Sequence, residues 1–146
     1  NDAAGAITRL LDMGVENFLI SSALIGILAQ RLVRVICPNC KEEAPLTPTL
    51  KTEMGLLHKE NIKVYHGKGC KACSQTGFKG RCGIYELLVI DDSIRELILK
   101  KTTAQIICDQ ARKMGMRTLR EDGWDKVVQG ITTVEEILRV TLSDRN

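Results

Sequence analysis

Two cysteine pairs constrain this chain more than any other feature. They read Cys37-Pro38-Asn39-Cys40 and Cys70-Lys71-Ala72-Cys73, with residues 41–69 between them. Two residues between thiolates let the backbone fold as a tight knuckle, with amides pointing at the sulfurs and both sulfurs within reach of one ion. Two knuckles give the closed tetrahedral four-thiolate set that Zn²⁺ favours, with Zn–S near ~2.3 Å. The intervening stretch is longer than the roughly 15–20 residues of the usual ribbon template. The pattern predicts a structural zinc held by Cys37, Cys40, Cys70 and Cys73. A closed site leaves no position for an activated water.

Other cysteine chemistry fits less well. A redox C-x-x-C expects a thioredoxin-like βαβ context, which neither pair has. A disulfide framework belongs to secreted chains, and residues 1–12 lack the basic n-region and apolar run of a signal peptide. Reduced cysteines in the cytoplasm fit best. His58 and His66 lie in a polar loop and read as solvated side chains. Cys82, in an apolar stretch, and Cys108, within a helical pattern, read as small buried hydrophobes.

Charge is modest but localised. The 146 residues carry a formal net charge of +3, and aromatics make up only 3%, so aliphatic side chains must build any core. Residues 59–81 hold Lys59, Lys63, Lys68, Lys71, Lys79 and Arg81 against the single acid Glu60. A zinc on four thiolates returns two negative charges to this stretch. The simplest reading is that lysines solubilise an exposed loop. The alternative is an acidic partner surface or a phosphate.

Helical patterning begins at once, with Asp2 as N-cap, Ile7, Leu10 and Leu11 on one face, and Gly14 closing. A helix without lead-in predicts a piece of a longer polypeptide. Glu16–Gln30 is apolar nearly all round, too short for the about 20 residues of a membrane span, and as a helix would need burial on every face. A preceding domain is expected to supply that cover. Arg31–Ile36 reads as a strand, Lys41–Thr49 with Pro45 and Pro48 as a loop, Lys51–Lys59 as a short helix, and Ile62–His66 and Ile84–Ile90 as strands. Glycines 67, 69, 77 and 80 permit left-handed turns around the second knuckle.

The remainder is helical. Asp91 or Asp92 caps a helix with Ile94, Leu97 and Ile98 inward. Thr102 or Thr103 starts another with Ile106, Ile107, Ala111 and Met114 inward, closed by Gly115. Thr118 and Glu121 form a capping box for a third, carrying Trp124, Val127 and Val128 and stopping at Gly130. Thr132 or Thr133 starts a fourth with Val134, Ile137 and Leu138 inward. The adjacent pairs Asp91-Asp92 and Glu135-Glu136 read as caps, because sequence neighbours do not face each other on a helix. There is no G-x-x-x-x-G-K-[ST] phosphate cradle, and no catalytic Ser/His/Asp or Cys/His set stands out.

A longer series of motifs carries a resemblance. It runs from Asn1-Asp2-Ala3-Ala4-Gly5-Ala6-Ile7-Thr8-Arg9-Leu10-Leu11-Asp12-Met13-Gly14 through Ala29-Gln30-Arg31-Leu32 and the two cysteine pairs. It continues with Thr76-Gly77-Phe78-Lys79-Gly80-Arg81, Gly83-Ile84-Tyr85-Glu86-Leu87, Met116-Arg117-Thr118-Leu119 with Glu121-Asp122-Gly123, and the stretch Gly130–Thr141. In this order the chain resembles the C-terminal part of the hexameric assembly ATPases of type II secretion and type IV pilus extension.

That resemblance implies an α+β chain in three segments. Residues 1–36 would be the C-terminal edge of a RecA-like ATPase core, 37–82 a tetracysteine zinc subdomain, and 83–146 a C-terminal subdomain of about four helices. The parent would be a cytoplasmic homo-hexamer, peripheral at the inner membrane against platform proteins, with ATP and Mg²⁺ bound by segments before residue 1. No nucleotide-contacting residue carries over to this stretch. Retraction-type relatives lack the tetracysteine insertion, which points to secretion or extension. Cys82 departs from the aliphatic or Thr usual there and sets a fifth thiol near the site. A zinc-ribbon nucleic-acid module remains an alternative, although residues 59–81 offer only Tyr65 and Phe78 for stacking. A free-standing protein-interaction module is another.

Overall fold

A computed structural model describes residues 2–141. Among them the chain runs α1 (Ala3–Asp12), α2 (Asn17–Ala23), β1 (Gly26–Ile36), β2 (Lys41–Ala44), α3 (Pro48–Glu53) and β3 (Val64–Gly67). A single 3-10 turn at Lys71–Cys73 leads to β4 (Phe78–Val89), α4 (Asp92–Leu99), α5 (Ala104–Lys113), α6 (Leu119–Val128) and α7 (Val134–Thr141). The class is α+β. β1 pairs with β4, and β2 with β3. Asn1 of the segment expected at 1–36, and residues 142–146 of that expected at 83–146, lie outside the described residues. By contact the chain divides into two compact units. One comprises the chain up to Gln30 with Tyr85–Leu119, the other Arg31–Ile84 with the chain from Arg120 onward.

The first unit has an aliphatic core. Asp2 caps α1 by accepting the Gly5 amide at 2.7 Å. This helix buries Ala3, Ala4 and Ile7 and packs against α5, while α2 packs against α4. Ile20, Leu88, Ile94, Ile98 and Ile107 complete the interior. Asp91 and Thr103 cap α4 and α5 as their sequence positions imply. α5 turns only Ile107 and Ala111 fully inward. Ile106 and Met114, expected inside, are exposed, because one face of this short helix suffices for the contact with α1.

Glu16–Gln30 is not one helix. α2 stops at Ala23, Leu24 is extended, and the chain then joins β1, where the Ile90 amide donates to the Ile25 carbonyl at 3.0 Å. Pairing with β4 satisfies the backbone that a helix would otherwise satisfy internally, and it wins over an aliphatic run that fits either state. The expected burial on all faces is absent within the described residues: Phe18, Ile25 and Leu28 are 56%, 82% and 61% exposed.

Glu86 on β4 is buried in this unit. Its carboxylate accepts the Ala3 amide at 2.8 Å and the Leu119 amide at 3.1 Å. Both amides open helices and lack intrahelical acceptors. Glu86→Ala strands two donors and is expected to cost about 2–3 kcal/mol. Urea unfolding of the variant checks this; an unchanged midpoint would remove Glu86 from any bracing role.

In the second unit, β2 and β3 are antiparallel, with Lys41 opposite Gly67 and Ala44 opposite Val64. The expected loop at Lys41–Thr49 therefore holds a strand and the start of α3. Thr47 caps α3, accepting the Leu50 amide at 3.3 Å, and Pro48 occupies the first turn, where its missing amide costs nothing. The short helix spans Pro48–Glu53, so it begins and ends earlier than the Lys51–Lys59 that patterning suggested and overlaps it only at residues 51–53. Trp124 is buried, as a core anchor should be, with Val127 and Ile137. Gly123 lets Ile137 approach so closely that a Cβ there would overlap its methyl groups. Val128, expected inward, is 42% exposed, since Trp124 and Val127 already fill the inner face of α6.

Candidate metal centre

The end of β1 delivers the first knuckle. Val33 and Ile36 are buried and anchor the strand, and Ile36 donates its amide to the Ile131 carbonyl at 2.9 Å. Cys37 follows, its amide on the Gly77 carbonyl at 2.9 Å. The β2–β3 ladder then returns the chain beside Cys40, where Lys68 donates to the Cys40 carbonyl at 3.0 Å. That ladder closes the long interval between the cysteine pairs. Gly67 and Gly77 touch backbone to backbone: a Cβ on either would overlap the other's carbonyl. The second knuckle, through the Lys71–Cys73 turn, is locked against β3 by this contact.

The structure brings the four sulfurs of Cys37, Cys40, Cys70 and Cys73 together. All lie within 4.8 Å of one another, and Cys37 and Cys73 are buried. Sγ–Sγ separations are 3.9 Å for Cys37–Cys70, 3.9 Å for Cys40–Cys73 and 3.7 Å for Cys70–Cys73. A tetrahedron with Zn–S of ~2.3 Å has edges of about 3.8 Å. Disulfides need about 2.05 Å, so these are free thiols. Backbone amides point at sulfur: Gly69 at Cys40 (3.3 Å), Cys70 at Cys73 (3.3 Å) and Gly77 at Cys73 (3.2 Å). Burial alone would raise the Cys73 thiol, but the Cys70 and Gly77 amides bring it down to about 6. Burial and the neighbouring thiols Cys70, Cys73 and Cys37 push Cys40 up to about 12, against the Gly69 amide. The donor set fits a soft divalent ion that would displace the shared protons.

The other candidates fall elsewhere. His66 pairs through Nε2 with Glu42 at 3.0 Å, and His58 is exposed. Cys82 and Cys108 are half-buried, outside the sulfur cluster, and burial pushes both thiols up. Lys59, Lys68, Lys71, Lys79 and Arg81 are exposed, and Lys63 pairs with Glu43 at 3.1 Å. The ring of Phe78 is covered by the Arg34 guanidinium at 4.1 Å, and Tyr65 by the Lys41 ammonium at 4.7 Å.

Sequence reasoning missed a second polar centre. Glu136, read as a cap, instead has its side chain 2% exposed between two arginines. It accepts from Arg34 N (2.9 Å), Nε (3.0 Å) and Nη2 (2.6 Å), and from Arg139 Nε and Nη2 (both 2.9 Å). Burial opposes its charge, yet Arg139 and then Arg34 hold its carboxyl down at about 2. Thr133, as expected, caps α7 by accepting the Glu136 amide at 3.2 Å. The spacing of Glu136 and Arg139 was a visible signal; nothing near Arg34 announced its partner.

A family model described as "Type II/IV secretion system protein" matches residues 1–139. The chain belongs to this family. Among members of the type II/IV secretion system family, it is 53% identical over 144 residues to the type IV pilus assembly ATPase PilB of Thermus thermophilus, covering 97% of this chain and 16% of that protein. It is 48% identical over 141 residues to type II secretion system protein E of Pseudomonas aeruginosa, covering 97% of this chain and 28% of the relative. Against the type II secretion system ATPase E of Vibrio cholerae it is 47% identical over 141 residues, with the same coverages of 97% and 28%. The chain thus spans a sixth to just over a quarter of these relatives. Among the described residues no helix is long and apolar enough to cross a membrane.

Proposed function

We propose that this chain is the C-terminal part of a cytoplasmic, homo-hexameric ATPase that powers type II protein secretion or type IV pilus assembly. In this reading residues 37–82 form a structural zinc subdomain, with Cys37, Cys40, Cys70 and Cys73 as ligands. Residues 83–146 form the helical subdomain, and residues 1–36 the edge of a RecA-like core. The observation that carries it is the four-sulfur cluster with near-tetrahedral edges, in a chain whose relatives are named as secretion and pilus-assembly ATPases. When bound, zinc supplies cross-linking rather than reactivity. The protein's own residues do the remaining work: the Gly69, Cys70 and Gly77 amides orient the thiolates, and the Gly67–Gly77 contact fixes the knuckles. ATP and Mg²⁺ belong to other segments of the parent, which would dock peripherally on inner-membrane platform proteins. Covered rings at Phe78 and Tyr65 argue against a nucleic-acid platform.

Two measurements test this. The isolated chain is expected to hydrolyse no ATP, because positioning and charge stabilisation of the phosphates are what drive that chemistry; turnover that survives removal of contaminating ATPases overturns the assignment. In the full-length parent, Cys37→Ser/Cys40→Ser should impair export more than nucleotide affinity. Normal export without zinc would make the subdomain dispensable.

A further inference from the structure

A cleft of about 640 Å³ opens in the second unit, with no cysteine in its lining. One wall is apolar, with Pro45, Leu50, Val64 and Val134. Arg34 and Arg139 also line it, their side chains 47% and 57% exposed. Between them sits Glu136, whose two oxygens already accept five N–H groups. That carboxylate has nothing left to offer a ligand. Glu136 takes up the Nε and Nη2 edge of each guanidinium, and among the described residues their other N–H groups have no carboxylate partner. The cleft therefore combines an aliphatic wall with planar guanidinium donors whose remaining N–H groups are not taken by Glu136, beside the exposed acid Glu135. Its volume is within the roughly 300–1,000 Å³ range of ligand sites.

We infer that this cleft is a recognition groove for a peptide segment in which one carboxylate adjoins an aliphatic side chain. The guanidinium edges match a carboxylate in charge and fork geometry, and the wall takes the aliphatic neighbour. Glu135, exposed in the same lining, repels a second acid, so an isolated Asp or Glu is selected over an acidic run. Free phosphate makes no use of the apolar wall. For a nucleotide base, one face of Phe78 is already taken by Arg34 and one face of Tyr65 by Lys41.

The test is an NMR titration of the ¹⁵N-labelled, zinc-loaded chain with four probes. These are a nonapeptide with an Asp-Leu core in a Gly/Ser background, its Asn-Leu counterpart, inorganic phosphate, and a short single-stranded oligonucleotide. The Asp-Leu peptide is expected to shift the Arg34 and Arg139 Nε–H signals together with the Val64 and Val134 amides, saturably. The Asn-Leu peptide should bind about tenfold more weakly. Arg139→Gln should lose a similar factor, and Leu50→Ser should weaken the peptide without changing phosphate binding; zinc content and spectral dispersion report that both variants stay folded. Equal binding of the two peptides overturns the inference. So do shifts that map elsewhere, absence of any shift at millimolar peptide, or phosphate or oligonucleotide reproducing the same shifts at equal affinity.

Discussion

Freshly purified, reduced chain is expected to carry one zinc, and stripping that zinc should unfold the knuckle region, residues 37–80. Structural zinc contributes apparent binding free energy of about 10–16 kcal/mol in small peptides. A whole domain has a net stability of only about 5–15 kcal/mol. The regular structure that would hold the knuckles without metal is slight: a four-residue ladder, a three-residue turn and the Gly67–Gly77 contact. Thiols packed at 3.7–3.9 Å with their charge unneutralised repel once ionised, and keep their protons otherwise. Cys37→Ser/Cys40→Ser should abolish stoichiometric zinc and raise amide exchange across residues 37–80 by orders of magnitude. Cys82→Ser should leave one zinc bound, since that thiol is outside the cluster. Elemental analysis and hydrogen exchange with and without chelator give the answer. A metal-free preparation with a native spectrum, or zinc lost in Cys82→Ser, would defeat the four-ligand assignment.

The sulfur cluster was legible because its signal is local: two residues between thiolates dictate a knuckle whatever surrounds it. Helix starts were legible for the same reason, since Asp2, Asp91, Thr103 and Thr133 each act on an amide within the next turn. Misreadings fell where a distant partner decides. The aliphatic run after Ala23 suits helix or strand, and β4 settles it. β2 reads Lys-Glu-Glu-Ala, a poor strand sequence, and extends only because β3 lies opposite. Glu136 looked like any acid in a first helical turn until Arg34, far away in sequence, arrived beside it. Glu86 was similarly silent: alternation along β4 placed it on the buried face, but the amides it serves come from elsewhere in the chain.

Replacing Glu136 with Gln is expected to have the second-largest effect on stability. The ordinary carboxyl value of 4.5 falls to about 2 in the fold. Because the folded-state value is depressed, the unfolded chain takes up the proton first. The ionised carboxylate's contribution is thus complete above about pH 5 and declines as pH falls through 4.5 towards 2. A shift of that size corresponds to about 3 kcal/mol, reduced to about 2 because both guanidiniums are half solvated. Acid also releases zinc, so the informative quantity is the difference between wild type and Glu136→Gln over the pH range in which elemental analysis shows both fully zinc-loaded. It should stay constant from pH 7 to 5 and then narrow, while the Glu136 carboxyl ¹³C signal of the wild type shows no protonation down to about pH 3. A constant difference down to pH 4, or a carboxyl titrating near its ordinary value, would contradict the ion-triad geometry. The loss should also reach the metal. Glu136 holds the Arg34 amide and Thr132 holds the Arg34 carbonyl at 2.8 Å, in the strand that runs directly into Cys37. Loosening that strand raises the entropy of the first knuckle, so Glu136→Gln should bind zinc more weakly even though it touches no sulfur. Arg139→Gln, which leaves the Arg34 contacts in place, should not. Equal zinc affinity in both variants would confine the triad to the stability of α7.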